Sequence, residues 1–332
     1  MAYKTGTAQN ERDLLDILNK FLTTDPTLVA NGQAWTVLLD KTVAKTATEV
    51  EKRKIVWKST GTGVEQDIYV MCETVNSISQ DIYNLNFFGG TFFNSALVTG
   101  DNVQAGIINI SPGVVLFADA RPIDYYMVAD GRCFKVVTRI SNVCSSAYCG
   151  FILPTVPPTE YPYPLCVAGS APIRTPKSRS DDPIFLRYSN TEFYNSSIVD
   201  PLSGNCWLFA PDQSWRDFSG SDYQTYSNDS KEQLLYPCAI SQKHNDKNWY
   251  VMKTLSASPG GSYPLIPVEF ISFKGSSQGE NRWGAYDGVY WIPGVQRAVG
   301  DEVTLPNGNK GVVCNGGFRT TTTDYFVLEL GA

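Results

Sequence analysis

Residues 123–140 read IDYYMVADGRCFKVVTRI. Phe134, Val136 and Ile140 alternate there with Lys135 and Arg139, and period-two alternation marks a strand with one buried face. Asp130-Gly131 stands between two such runs. That pair readily takes the positive φ angles of a type I′ turn. The segment predicts an antiparallel hairpin and commits this part of the chain to a sheet.

Similar text recurs. WTVLLD, KIVWKS, IYVMCETV and IYNLNFF are short strand candidates. In the last, Tyr83, Leu85 and Phe87 alternate with Asn84 and Asn86, which predicts a half-buried strand. Asn307-Gly308 predicts a second hairpin. In the closing strand, Tyr325, Val327 and Glu329 alternate with Phe326, Leu328 and Leu330. The 18 Tyr, 16 Phe and 7 Trp favour sheets, and 27 Gly with 19 Pro supply turns. The expected fold is mainly β, with antiparallel sandwich- or barrel-like domains and a short N-terminal α-helix.

For that helix Asn10 is the cap, and Asp13 stands where a capping box carries Glu or Gln. Leu14, Leu15, Leu18, Phe21 and Leu22 then form one face at helical spacing. Pro26 ends the run by disfavouring helical angles at Asp25. A helix this short is marginal alone, so its stripe must dock, either on the chain's own core or on a neighbouring subunit. Eight prolines between residues 154 and 183 mark a stiff connector. The chain divides accordingly into a docking helix (1–25), a β-rich domain (26–153), the proline-rich connector (154–183) and a β-rich C-terminal domain (184–332). Alternatively, the proline stretch runs along one continuous β body.

Several chemistries lack their residues. The net charge is −6 and the longest basic run is EKRK, which argues against nucleic acid as a partner. No apolar run approaches the ~18–20 residues that span a bilayer, so no membrane insertion is expected. The opening MAYKTGTAQNERD is polar, which predicts synthesis in a cytoplasm without a secretory leader. None of the eight cysteines forms a CxxC pair, and most lie in strand-like text, so buried free thiols are expected. His244, the one histidine, is too few for a zinc site and lies in a polar stretch ill-suited to a catalytic imidazole. SWRDFSGSDYQTYSNDSKEQ reads as an exposed loop whose acids match no calcium-loop spacing. No phosphate-binding loop, dinucleotide fingerprint or HExxH occurs. The expectation is no catalytic residues, no cofactor and no metal.

One stretch holds two readings open. In NRWGAYDGVYWIPG, Asp287 sits among Trp283, Tyr286, Tyr290 and Trp291. Asp287-Gly288 can be a turn or bulge whose aromatics face a core or an interface. It can also belong to a glycan site, since aromatic faces stack on sugars. Hydrolysis then usually needs a second carboxylate roughly 5–9 Å away. Glu269, Glu280 and Asp301 are near only in sequence. Trp207, Trp215 and Trp249 are further glycan-binding candidates.

The same stretch carries a resemblance. RWGAYDGVYWIPG followed by GGFRTTTTDYFVLEL is similar to the C-terminal signature of a group of tailed-bacteriophage virion proteins, with Tyr286 where that pattern often has Leu. YPYPLCVAGSAP resembles their central crossing, and YKTGTAQNERDLLDILNKFL with Trp35 resembles their N-terminal helix. The resemblance implies a structural part of the neck or collar, tail or baseplate, resident in the virion and assembled in the host cytoplasm. It carries no catalytic residues. The implied partners are copies of the chain itself (a homo-oligomer) and other virion proteins. Leu14, Leu18, Phe21, Leu22, Trp283, Tyr286, Tyr290 and Trp291 are the interface candidates. The alternative is a glycan-binding or receptor-binding module, or a glycosidase, on the particle surface.

Overall fold

The computed structural model describes residues 1–44, 51–62, 66–77, 82–141, 143–172, 206–218, 231–236, 263–274, 280–315 and 325–331. The fold is mainly β and antiparallel, with sandwich-like sheets and an N-terminal helix, as the sequence predicts.

Three sheets lie in layers. The central sheet has seven strands, in the order Ala2–Ala8, Ile123–Ala129, Cys133–Ile140, Val143–Phe151, Leu165–Gly169, Cys206–Phe209 and Trp215–Asp217. Its side chains alternate between two cores. Ile123, Tyr125, Met127, Phe134, Val136, Ala147, Cys149, Leu165 and Val167 enter the first core. Val128, Cys133, Val137, Cys144, Tyr148, Cys166 and Ala168 enter the second.

An N-terminal sheet covers the first face. Its strands run in the order Ala171–Pro172, Val114–Phe117, Ile82–Gly90, Ile68–Ser77, Lys52–Ser59 and Thr36–Val43. It supplies Ile55, Trp57, Val70, Leu85 and Phe87 to the first core. A C-terminal sheet covers the second face, in the order Lys231–Tyr236, Ile266–Lys274, Glu280–Ile292, Tyr325–Gly331, Lys310–Asn315 and Glu302–Thr304. It supplies Val268, Phe270, Tyr286, Trp291, Phe326 and Leu328 to the second core.

The helix Glu11–Thr24 starts where its cap predicts. Asn10 Oδ1 accepts from the N–H groups of Arg12 and Asp13, each at 3.0 Å, and Asp13 Oδ2 accepts from Gln9 N at 2.8 Å. Asp25 then caps a second short helix, Pro26–Ala30, which the sequence reading does not anticipate. The helix packs against Ala2–Ala8 and Ile123–Ala129 of the central sheet and Ile82–Gly90 of the N-terminal sheet. Leu14, Leu15, Leu18, Phe21 and Leu22 are all buried in the first core. The stripe therefore docks on the chain itself, and these residues offer no surface to a neighbour.

The hairpin at residues 123–140 forms, but its turn differs from the expectation. Asp130 N–H bonds Cys133 O at 3.0 Å, so Gly131 and Arg132 occupy the centre. Asp130 Oδ1 accepts from Arg132 N at 2.7 Å and Cys133 N at 3.0 Å. Neither Asp130 nor Gly131 has positive φ. Glycine is needed at 131 for space: a Cβ there would lie 2.0 Å from Gly61 O. The Asn307-Gly308 turn follows expectation, with Gly308 at φ +86° and Glu302–Thr304 paired to Lys310–Asn315.

Three expectations of exposure are corrected. Lys135, Asn84 and Asn86 are each 1–2% exposed, because these strands are covered on both sides. The described part of the proline-rich stretch separates nothing. Leu153–Pro154 pairs with Glu280–Ile292, and Leu165–Gly169 is an inner strand of the central sheet. It runs along one β body; Pro176 and Pro183 lie outside the described residues. The expected exposed loop begins instead as the edge strand Trp215–Asp217. Its residues 219–230 lie outside the described set.

Because Leu18 is wholly buried, Leu18→Ala is expected to cost about 2–5 kcal/mol by leaving a cavity. Denaturant unfolding of the variant measures this, and a cost near zero would place the helix outside the core.

Candidate functional site

Asp287 and Gly288 lie in a bulge within the strand Glu280–Ile292. Pairing with the neighbouring strand steps from Pro267↔Tyr290 to Glu269↔Ala285, so residues 286–289 bulge out opposite Val268. The strand changes neighbours here as well. Gly284 and Ala285 pair with Pro154 and Leu153, whereas Val289 to Ile292 pair with Tyr325–Gly331. Gly288 has φ +64°, a left-handed conformation that favours glycine. A Cβ at 288 would lie 3.2 Å from Lys135 Nζ and 3.3 Å from Glu329 Cβ.

That bulge receives Lys135 from the facing central sheet. Lys135 Nζ donates to the Asp287 carbonyl at 2.7 Å and lies 3.8 Å from Met1 Sδ. Burial works to discharge the amine. The neighbouring Cys133 thiol and the Asp287, Asp130 and Glu329 carboxyls outweigh it, so the Lys135 pKa rises above its ordinary value. Burial pushes the Asp287 carboxyl up, helped by Asp130 and Glu329 and opposed by Lys135 and Arg132. Burial would also raise Glu329. However, it accepts from Asn309 Nδ2 at 2.6 Å, Asn307 Nδ2 at 2.9 Å and Tyr290 OH at 3.2 Å, and these bonds leave its pKa lowered. The cluster is a cation held between sheets by a carbonyl and surrounding acids. A buried charge of this kind must be compensated.

The aromatics around it face inward. Tyr286 is 2% exposed and packs on Tyr148 and Phe270, with ring centroids 4.6 and 4.7 Å away. Its hydroxyl lies 3.0 Å from Cys206 Sγ. Trp291 is equally buried. Trp283 is half-buried; its Nε1 donates to Ser272 Oγ at 2.9 Å, and Arg216 stacks 5.3 Å from its ring. Tyr290 belongs to the outer side of the C-terminal sheet, packed near Ile292, Leu305 and Val327. The turn-or-bulge reading is thus the one realised, with the aromatics committed mostly to core.

Two of the glycan candidates lie on paired neighbouring strands. Trp207 and Trp215 are half-buried against the first core at the edge of the central sheet. Trp215 Nε1 donates to Asn109 O at 2.9 Å, and its ring meets Phe209 at 5.2 Å. Trp249 and His244 lie outside the described residues. Glu269 pairs with Arg282 rather than with Asp287. A surface recess beside the helix centres on Arg53, which is already paired with Asp16 and Asp40. Among the described residues no group of three or more His, Cys, Asp or Glu is placed to hold a metal ion, and no helix is long and apolar enough to cross a membrane.

Sequence reasoning missed Lys135, because one alternating segment cannot show that a second sheet covers its polar face. It also missed an excursion, residues 91–111, that covers the outer side of the N-terminal sheet. Phe93, Val103 and Ile107 pack there on Val56, Tyr69, Met71 and Phe88. Its two-stranded sheet pairs Phe92 directly with Ile108, which are 51% and 37% exposed, and Leu97 beside it is 45% exposed.

Comparison with models of known protein families finds no match, and comparison with curated proteins finds none either.

Two outcomes follow for the cluster. Lys135→Ala strips the cation from buried acids and is expected to cost about 3–5 kcal/mol, measured by denaturant unfolding. Asp287 binds its proton more tightly folded than unfolded. Its contribution is therefore present below the ordinary carboxylate pKa and lost as pH rises through the raised value. Asp287→Asn removes that loss. Its melting temperature should exceed the wild type's at about pH 7 and converge with it near pH 3. A lower value at neutral pH would mean the charged carboxylate stabilises the fold.

Proposed function

We propose that this chain is a structural component of a tailed-bacteriophage virion, in the neck or collar, tail or baseplate. It acts by self-association and by docking to neighbouring virion proteins, and is assembled in the host cytoplasm. The observation that carries this reading is where the C-terminal signature spends its side chains. The Asp287-Gly288 bulge anchors Lys135 across two sheets, and Tyr286 and Trp291 fill the core beside it. In this position the signature maintains a rigid body rather than holding a reactant.

The surface available for docking also differs from the helical stripe. Phe92 and Ile108, paired across the two-stranded sheet, are exposed, and exposed apolar groups favour contact with another protein. Burying them would supply on the order of 25 cal/mol per Å², less the cost of association.

The test is a Phe92→Asp, Ile108→Asp double variant. It is expected to stay folded, with some loss of melting temperature because the Phe92 ring packs on Tyr69 5.7 Å away, yet to lose concentration-dependent association in sedimentation and incorporation into particles. A wild-type protein that stays monomeric, is absent from washed particles, and binds or cleaves a polysaccharide through Trp215 would instead support the glycan-module reading.

A further inference from the structure

Ala2–Ala8 ends the central sheet. It pairs on one side with Ile123–Ala129, and among the described residues no strand lies beyond it. Residues 3–7 are all exposed. The other edges of the three layers carry the features that blunt pairing with another chain: shortness, charge, proline or a bulge. Trp215–Asp217 and Glu302–Thr304 are three residues long, and Ala171–Pro172 holds a proline. Thr36–Val43 has an irregularity between Val37 and Leu39 and carries Asp40 and Lys41. Lys231–Tyr236 carries Lys231 and Glu232. Ala2–Ala8, by contrast, pairs without a register shift over its 7 residues, and Lys4 is its one charge.

Register fixes where the backbone groups of this edge point. Asp130 N–H bonds Cys133 O at the neighbouring hairpin turn. Bonded pairs alternate along an antiparallel ladder, so Asp124, Tyr126 and Val128 direct their N–H and C=O groups at Cys133–Ile140. Ile123, Tyr125, Met127 and Ala129 therefore bond the edge strand, through Ala8, Gly6, Lys4 and Ala2. Tyr3, Thr5 and Thr7 point their N–H and C=O groups outward.

We propose that this edge pairs antiparallel with the same edge of a second copy, about a two-fold axis that passes beside Thr5 perpendicular to the sheet. The inference rests on the self-association proposed for this chain and adds a contact to the Phe92–Ile108 surface. In this register Thr5 faces its own counterpart, Tyr3 faces the second copy's Thr7, and Lys4 faces the second copy's Gly6. The whole strand is matched, and each outward N–H meets an outward C=O. The charge of Lys4 selects against the neighbouring register. With Tyr3 facing Thr5, the two Lys4 side chains stand directly opposite, and like charges so placed are destabilising. Sliding the other way, with Thr5 facing Thr7, leaves the strand ends unmatched. Strand addition of this kind draws its affinity from main-chain hydrogen bonds. A lone strand pair is marginal in water, so the edge works together with the Phe92–Ile108 contact, and loss of either weakens association.

The experiment uses the full-length chain. Thr5→Pro removes an outward N–H and no bond of the existing ladder. Its melting temperature should stay near the wild type's, while association in sedimentation weakens by about tenfold or more. A charge swap reads the register. Thr5→Glu and Thr5→Lys each set like charges face to face and should associate poorly alone, whereas an equimolar mixture of the two should recover association. The mixture decides the matter where the proline variant folds poorly. In the wild type, amide hydrogen exchange at Tyr3, Thr5 and Thr7 should slow as protein concentration rises. The edge pairing is overturned, with self-association left standing, if the wild type associates and Thr5→Pro does so equally, or if the mixture gains nothing over its components. A wild type that stays monomeric at every concentration overturns both.

Discussion

Burial of the central sheet on both faces sets the terms for everything around it. A strand covered on one side can send its polar residues to water. A strand covered on both sides leaves them at a cost unless they pair inside the protein. Lys135 finds the Asp287 carbonyl. Thr138 Oγ1 donates to Phe117 O at 2.8 Å, and Ser145 and Ser170 bond each other at 2.8 Å. These bonds tie the central sheet to its neighbours, since Phe117 and Asp287 belong to the two covering sheets; the buried Ser146 hydroxyl is an exception without a partner.

The bulge at residues 286–289 follows from the same constraint. A regular strand would present its N–H and C=O groups only to flanking strands. Irregular pairing frees the Asp287 carbonyl to point at the facing sheet, where it accepts the lysine proton. Gly288 permits the turn and leaves room for the amine. Tyr286 and Trp291, on either side, fill the core where the strand bends. Asp287 itself is stabilising through its backbone, while its carboxyl is costly, as the raised pKa indicates.

The functional reading moves accordingly from the interior to the outside. The N-terminal stripe and most of the C-terminal aromatics are consumed in cohesion of the chain, whereas the 91–111 excursion, among the described residues, keeps Phe92, Leu97 and Ile108 exposed. That excursion sits on the outer side of the N-terminal sheet, whereas Lys135 and the Asp287 carbonyl meet between the other two layers.

Strand identity, the capped helix, the Asn307-Gly308 turn and the mainly β class were legible in the sequence, because each rests on residues close together in the chain. So was the need for the helix to dock, though not the partner. Exposure was not legible. Alternation at Lys135 and at Asn84 and Asn86 states that two faces differ, and what packs over each face decides whether either sees water. The glycine at 131 makes the same point on a small scale: local chemistry placed the turn, and the approach of Gly61 determined why no side chain fits there. Local side-chain chemistry acts through neighbours in the chain, and it settled the elements. Burial depends on contacts between distant segments, and only the tertiary structure decided which groups are hidden, paired or left for a partner.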